Sequence, residues 1–123
     1  MTTVFLVEDS LTDTELMTNY LKQAGLMVVS TNNGDDAQSQ IQSQKPDLVI
    51  LDVILPGKSG FELCHQLKTN SHTKAIPVVI CSSKETEADK LWGSMLGADA
   101  YISKPVDQLQ LMQTIKQLTV GKS

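Results

Sequence analysis

The apolar residues of this chain fall into two arrangements that take turns along its length: short unbroken runs, and longer stretches with an apolar residue every three or four positions. The runs cover residues 4–7, 26–30, 47–52, 76–81 and 100–102. A short run without polar alternation predicts a strand buried on both faces, hence a parallel sheet covered by helices. The stretches between the runs read as those helices. Leu16, Met17, Tyr20, Leu21 and Ala24 repeat at helical spacing behind a capping box, Thr12-Asp13-Thr14-Glu15, and Gly25 stops them. The turn Asn32-Asn33-Gly34 leads to a weakly amphipathic helix through Ala37 and Ile41 to about Gln44. After the turn Pro56-Gly57-Lys58, a second box, Ser59-Gly60-Phe61-Glu62, opens a helix with Phe61, Cys64 and Leu67 inward, followed by a polar loop over 70–74. Ala88, Leu91, Trp92, Met95 and Leu96 form one face of a fourth helix ending at Gly97, and Leu109, Met112, Ile115 and Leu118 place a fifth to about Thr119.

Five strands alternating with five helices through short loops imply an α/β domain, a parallel sheet with right-handed crossovers and helices on both faces. One domain over 1–123 accounts for the chain, with no repeat, linker or low-complexity tract. The crevice of such a sheet lies at the carboxyl ends of its strands. Glu8 and Asp9, Asp52, Ser82 and Ser83, and Lys104 all fall there.

Charge and composition narrow the function classes. With 14 acidic against 10 basic side chains in 123 residues the net charge is -4, and no basic cluster could track a phosphate backbone, so nucleic-acid binding is not expected. Cys64 and Cys81 sit singly inside apolar segments, which suits buried free thiols and a cytoplasmic setting. The first residues have no basic flank and meet two acids before a signal-peptide core could form. No run approaches the roughly 20 apolar residues of a membrane span.

Asp52 is the anomaly, a carboxylate closing the apolar run Leu48-Val49-Ile50-Leu51. Carboxylates are rarely buried unless paired, metal-bound or placed for chemistry; the bland alternative is a cap on the next turn. Three carboxylates meeting at one edge repel unless a cation neutralises them, and hard oxygen ligands that leave room for water and phosphate suit Mg²⁺. That is a site for phosphoryl chemistry. Asp52 fits the nucleophile, Glu8 and Asp9 the metal holders, Lys104 the counter-charge, and Ser82 the hydroxyl that bonds the product.

In order and spacing, the acidic pair Glu8-Asp9, the run Leu48 to Asp52 with Leu55-Pro56 and Gly60, then Ser82, Tyr101 and Lys104-Pro105, resemble a bacterial response-regulator receiver domain of the CheY-like type. The resemblance spans residues 3–118 and implies a doubly wound sheet of strand order 2-1-3-4-5. It also implies a signalling switch rather than an enzyme, one that catalyses only its own phosphorylation and slow dephosphorylation. Asp52 would accept a phosphoryl group from a histidine kinase or phosphotransfer protein. Asp9, Asp52 and the main-chain carbonyl of Ile54 would hold Mg²⁺, with Glu8 acting through water. Lys104 would pair with the phosphoryl group ahead of a cis bond to Pro105, and Ser82 and Tyr101 would form the switch pair. Output would pass to a downstream protein through the face of the fourth helix, fifth strand and fifth helix, from a monomer or a weak phosphorylation-dependent dimer, with no effector domain.

This chain departs mildly from the family pattern: Glu8 where Asp is also frequent, Ser82 where Thr is commoner, Val106 where Phe often sits. Ile54 and Lys84 hold positions where the family varies the lifetime of the phosphorylated state. An apolar Ile54 cannot orient an attacking water, so release of phosphate over minutes or longer is expected. Lys90-Leu91-Trp92-Gly93 with Leu96-Gly97-Ala98 resembles the pilus-motility and phototaxis branch. Trp92 reads first as core, with a partner-facing anchor as the alternative, and Tyr101 fits plain packing as well as switching. A flavodoxin-like FMN binder conflicts with Glu8 and Asp9, which would repel the FMN phosphate. A haloacid-dehalogenase-like phosphohydrolase requires a second Asp at position 54, where Ile stands.

Overall fold

Strands and helices alternate from end to end of the computed structural model: β1 (Thr3–Val7), α1 (Leu11–Gln23), β2 (Met27–Thr31), α2 (Gly34–Gln44), β3 (Leu48–Leu51), α3 (Gly60–Thr69), β4 (Val78–Ser82), α4 (Glu87–Met95), β5 (Ala100–Ser103) and α5 (Gln108–Thr119). The structure describes residues 2–120; Met1 and residues 121–123, which the one-domain expectation includes, lie outside the described residues. The sheet is parallel in the order β2-β1-β3-β4-β5, as the resemblance implies.

Every residue of β3 and β4 is buried, which is why these strands show no polar alternation. Neighbouring side chains serve opposite faces. Leu48, Ile50, Val79 and Cys81 pack with Met17 and Leu21 of α1 and Leu111 and Ile115 of α5. Val49, Leu51, Val78 and Ile80 pack with Ala37 and Ile41 of α2 and Leu63, Cys64 and Leu67 of α3. Each fully buried aliphatic side chain contributes about 1.5–3 kcal/mol, so these two layers dominate the stability of the sheet. Both cysteines are free and buried. Among the described residues no helix is long and apolar enough to cross a membrane.

Several local expectations need correction. The first helix is capped by Ser10, whose hydroxyl accepts the Asp13 amide, and not by Thr12. Ser10 holds the extended backbone that a cap requires, so Thr12 already lies inside the helix. β2 and β4 each begin later than the apolar runs suggest, at Met27 and Val78. In α3, Ser59 caps through the Glu62 amide as expected, but Leu63 joins Cys64 and Leu67 in the core while Phe61 is only half-buried. In the loop over 70–74, Thr73 is buried and its hydroxyl donates to the Leu67 carbonyl at 2.7 Å. Leu109 is 65% exposed, because α5 starts at the Asp107 cap and turns Leu111 and Ile115 to the sheet instead.

The largest correction concerns α4. Its apolar stripe faces outward, with Leu91 63%, Trp92 47% and Met95 68% exposed. The helix docks through Gly93, its one buried residue. A Cβ built there would lie 3.1 Å from Ile80 Cδ1 and 3.1 Å from Tyr101 Cδ2, so the missing side chain is what allows so close an approach.

Candidate functional site

The parallel register brings the chemistry to one edge. Val7 pairs with Leu51, and Ser82 with Ser103, so Glu8, Asp52 and Lys104 each stand one residue beyond a strand, at its carboxyl end. Ladder bonds carry on past the strands and fix these backbones: the Asp52 amide donates to the Val7 carbonyl at 3.1 Å, the Glu8 amide to Thr31 at 3.1 Å and the Lys104 amide to Ser82 at 3.1 Å. Gly60 seats the loop after β3, since a Cβ there would lie 1.9 Å from the Asp52 carbonyl oxygen. The bond from Lys104 to Pro105 is cis, as the resemblance implies.

Lys104 is the hub. Its Nζ donates to Glu8 Oε1 at 2.6 Å, Asp13 Oδ2 at 2.8 Å and Asp52 Oδ2 at 2.8 Å, which uses all three ammonium protons. The other Asp52 oxygen accepts from the Val53 amide at 2.7 Å and the Ile54 amide at 3.3 Å, orienting the carboxylate toward the cleft. Glu8 Oε2 accepts from the Ser10 amide at 3.0 Å. The cleft in front of this cluster encloses about 530 Å³ and is lined by Glu8, Asp9, Ser10, Asp13, Asp52, Ile54, Ser83, Lys104 and Pro105.

Environment separates the two central carboxyls. Burial is the largest influence on both and opposes ionisation. For Glu8 burial prevails over its bonds to Lys104 and Ser10, and its pKa is raised. For Asp52 burial is outweighed by the Lys104 ammonium together with the Ser82 hydroxyl and the Ile54 amide, and its pKa is lowered, which keeps it an anion. Burial alone would make Lys104 less basic, but its bonds to Asp13, Asp52 and Glu8 prevail and raise its pKa, so it stays a cation. An ionised, oriented carboxylate beside a fixed ammonium is the arrangement needed to attack an electrophilic phosphorus.

The remaining residues take definite places around this centre. Asp9 is exposed and lines the cleft. Ile54 stands at its rim, 60% exposed. Ser82 is fully buried, and its Oγ accepts from the Lys84 amide at 3.3 Å. Tyr101 is half-buried against the layer of α2 and α3, and its hydroxyl donates to the Lys84 carbonyl, tying β5 to the loop after β4. Burial, then the negative charges of Asp89 and Asp52, push the Tyr101 phenol up to about 12. Asp13 is the participant that the sequence pattern did not single out. No local spacing marks it, because Asp9 lies before the Ser10 cap, outside α1, and the step from one acid to the other is not a turn of helix. Among the described residues no group of three or more His, Cys, Asp or Glu side chains is gathered tightly enough to cage a metal by itself.

The fold and this edge define a phospho-receiver, and the comparison with known families agrees: the chain belongs to the response regulator receiver domain family, whose pattern it matches over residues 4–116. It is therefore the signal-receiving switch of a two-component response regulator. Among curated relatives, it is 38% identical over 121 residues to Protein PilH of Pseudomonas aeruginosa, covering 98% of this chain and 100% of that protein. It spans about half the length of several longer transcriptional regulatory proteins that it also matches. Among solved structures, the BeF3-activated N-terminal receiver domain of Klebsiella pneumoniae RstA superposes with a TM-score of 0.89 at 30% identity, covering 96% of this chain and 98% of that one. The Vibrio cholerae chemotaxis protein CheY4 does so with a TM-score of 0.88 at 26% identity, again over 96% and 98%.

Proposed function

We propose that the chain works as a stand-alone receiver in which Asp52 accepts a phosphoryl group from a histidine kinase or phosphotransfer protein. The observation that carries this is the state of Asp52: 8% exposed, held ionised, and with one oxygen 2.8 Å from the Lys104 ammonium at the mouth of a cleft. An Asp52 oxygen forms the new P–O bond as the P–N bond to the donor histidine breaks, with the electron pair leaving on the imidazole. Lys104 then serves the oxygens of the bound phosphoryl group, and the Ser82 hydroxyl swings toward them from its place beside the Lys84 amide. That release loosens the loop after β4, to which Tyr101 is tied through Lys84, and so connects Asp52 to α4 and β5.

The donor set suits Mg²⁺, which asks for only one or two carboxylates when water and phosphate oxygens complete its shell. Asp9 and Asp52 with the Ile54 carbonyl would hold it, and Glu8 would act through a bound water. The ion would neutralise charge on the phosphoryl group during transfer. The chain catalyses only its own phosphorylation and a slow dephosphorylation, since the Ile54 side chain offers no polar atom to align water at the rim. Leu91, Trp92 and Met95 of α4, with Leu109 of α5, support protein recognition through the α4-β5-α5 face. Likeness to PilH along the whole of that relative supports a single-domain regulator in the cytoplasm, monomeric or weakly dimeric when phosphorylated, in chemotaxis-like control of pilus motility or phototaxis.

Acetyl phosphate, or beryllofluoride, with Mg²⁺ tests the proposal. The fluorescence of the lone tryptophan, Trp92, changes and amide resonances near Ser82 shift, while Asp52→Asn gives neither response. An equal response from Asp52→Asn defeats it.

A further inference from the structure

Asp13 occupies the third position of α1, where a carboxylate ordinarily folds back onto the amide of the N-cap residue. In α4 the equivalent residue does so: Asp89 Oδ2 accepts from the Thr86 amide at 3.2 Å. In α1 that amide is already taken, because Ser10 N–H donates to Glu8 Oε2 at 3.0 Å. Asp13 is thereby freed from its local partner, and its carboxylate lies 2.8 Å from Lys104 Nζ. Its side chain is also the most exposed of the three acids on that lysine, 33% against 2% for the Glu8 side chain and 9% for that of Asp52, so it approaches from the mouth of the cleft.

We propose that Asp13 is a positioning residue that restrains Lys104 in the resting protein and must be displaced before the lysine can serve a phosphoryl group on Asp52. The inference rests on Asp52 being the phospho-acceptor. Lys104 has three protons and each is committed to a carboxylate, so a phosphoryl oxygen gains a full donor only when one is given up. The buried Glu8 cannot release its partner without leaving a charge unpaired in the interior, and Asp52 carries the phosphoryl group and so stays within the lysine's reach, whereas Asp13 can turn to water. Its negative charge at the cleft mouth also repels an incoming anionic phosphoryl group. Asp13 thus sets a threshold for activation and hastens return to the resting state.

The test compares wild type, Asp13→Asn, Asp13→Glu and Asp52→Asn at saturating Mg²⁺, reading Trp92 fluorescence against beryllofluoride and acetyl phosphate. Asp13→Asn is expected to respond at about three- to fivefold lower concentration than wild type, the size of a partly exposed ion pair, with the gain shrinking as salt is added. Asp13→Glu, with the charge restored, stays within about twofold of wild type. A second readout needs no phosphoryl donor: the ¹⁵N-resolved Lys104 ammonium signal of the resting protein shifts and exchanges faster with water in Asp13→Asn. An Asp13→Asn response equal to or weaker than wild type, or an unchanged Lys104 signal, overturns the restraint while leaving Asp52 as acceptor. A wild type that answers neither reagent removes the acceptor assignment, and the restraint with it.

Discussion

α1 opens on Ser10 with Asp13 three residues on, and α4 opens on Thr86 with Asp89 three residues on. From matching starts the two helices reach opposite relations to the sheet. α1 buries Met17 and Leu21 completely against β1 and β3, and its acid at the third position reaches across to Lys104. α4 buries only Gly93, and its acid closes a capping box within its own first turn. One helix is a fixed wall of the cleft in front of Asp52. The other buries one residue against the sheet, so its position is decided by fewer interactions and is more easily biased by what happens at Ser82 and Tyr101.

Core truncation gives the widest contrast. Leu21→Ala should cost about 2–5 kcal/mol, and Leu91→Ala, at a site 63% exposed, should stay within about 0.5 kcal/mol of wild type in urea unfolding. A large loss from Leu91→Ala would mean that the α4 stripe is packed in solution, and the comparison would fail. A smaller effect comes from Gly93→Ala. The new Cβ would press Ile80 and Tyr101 at 3.1 Å, an overpacking cost of ~1–3 kcal/mol set against ~1 kcal/mol of improved helix propensity. A net loss of about 1 kcal/mol is expected, together with altered amide shifts at Lys84, whose carbonyl receives the Tyr101 hydroxyl. An unchanged Lys84 environment would show that the α4 contact and the tyrosine are not coupled.

The thiols give the finest resolution. Cys64 Sγ sits 3.8 Å from the carbonyl of Leu96, at the end of α4, while Cys81 lies in the layer beneath α1 and α5. Burial, the chief cause, raises the Cys64 thiol to about 11 and the Cys81 thiol to about 12. Under native conditions a thiol reagent should label Cys64 first, through opening of α4, and Cys81 only with global unfolding. Equal labelling rates would erase the distinction between the helices. The same shifts fix a sign. Unfolded thiols ionise near 9.0, so stability is intact below that pH and declines above it, toward about 11 and about 12 where the folded thiols ionise in turn.

Much of this was legible in the chain as written. Asp52 at the end of an apolar run, Glu8 at the end of another and Lys104 before a proline each marked a strand terminus, and parallel strands necessarily bring such termini to one edge. The order and type of all ten elements followed from hydrophobic period, because burial on two faces and burial on one stripe leave different patterns. Three features had no local signature. Which hydroxyl caps α1 depended on backbone extension at Ser10. The outward face of α4 depended on Gly93 meeting Ile80 and Tyr101, and a helix stripe by itself does not reveal what lies opposite it. The part played by Asp13 depended on Glu8 taking the Ser10 amide, a contest between two acids for one donor that only the folded chain resolves. Periodicity and element ends are properties of neighbours along the chain, so sequence alone determined the strands, the helices and the edge to which the strands' carboxyl ends bring Glu8, Asp52 and Lys104. Contacts between residues as far apart as Asp13 and Lys104 are chosen by competition among partners in space, and tertiary structure alone decided those.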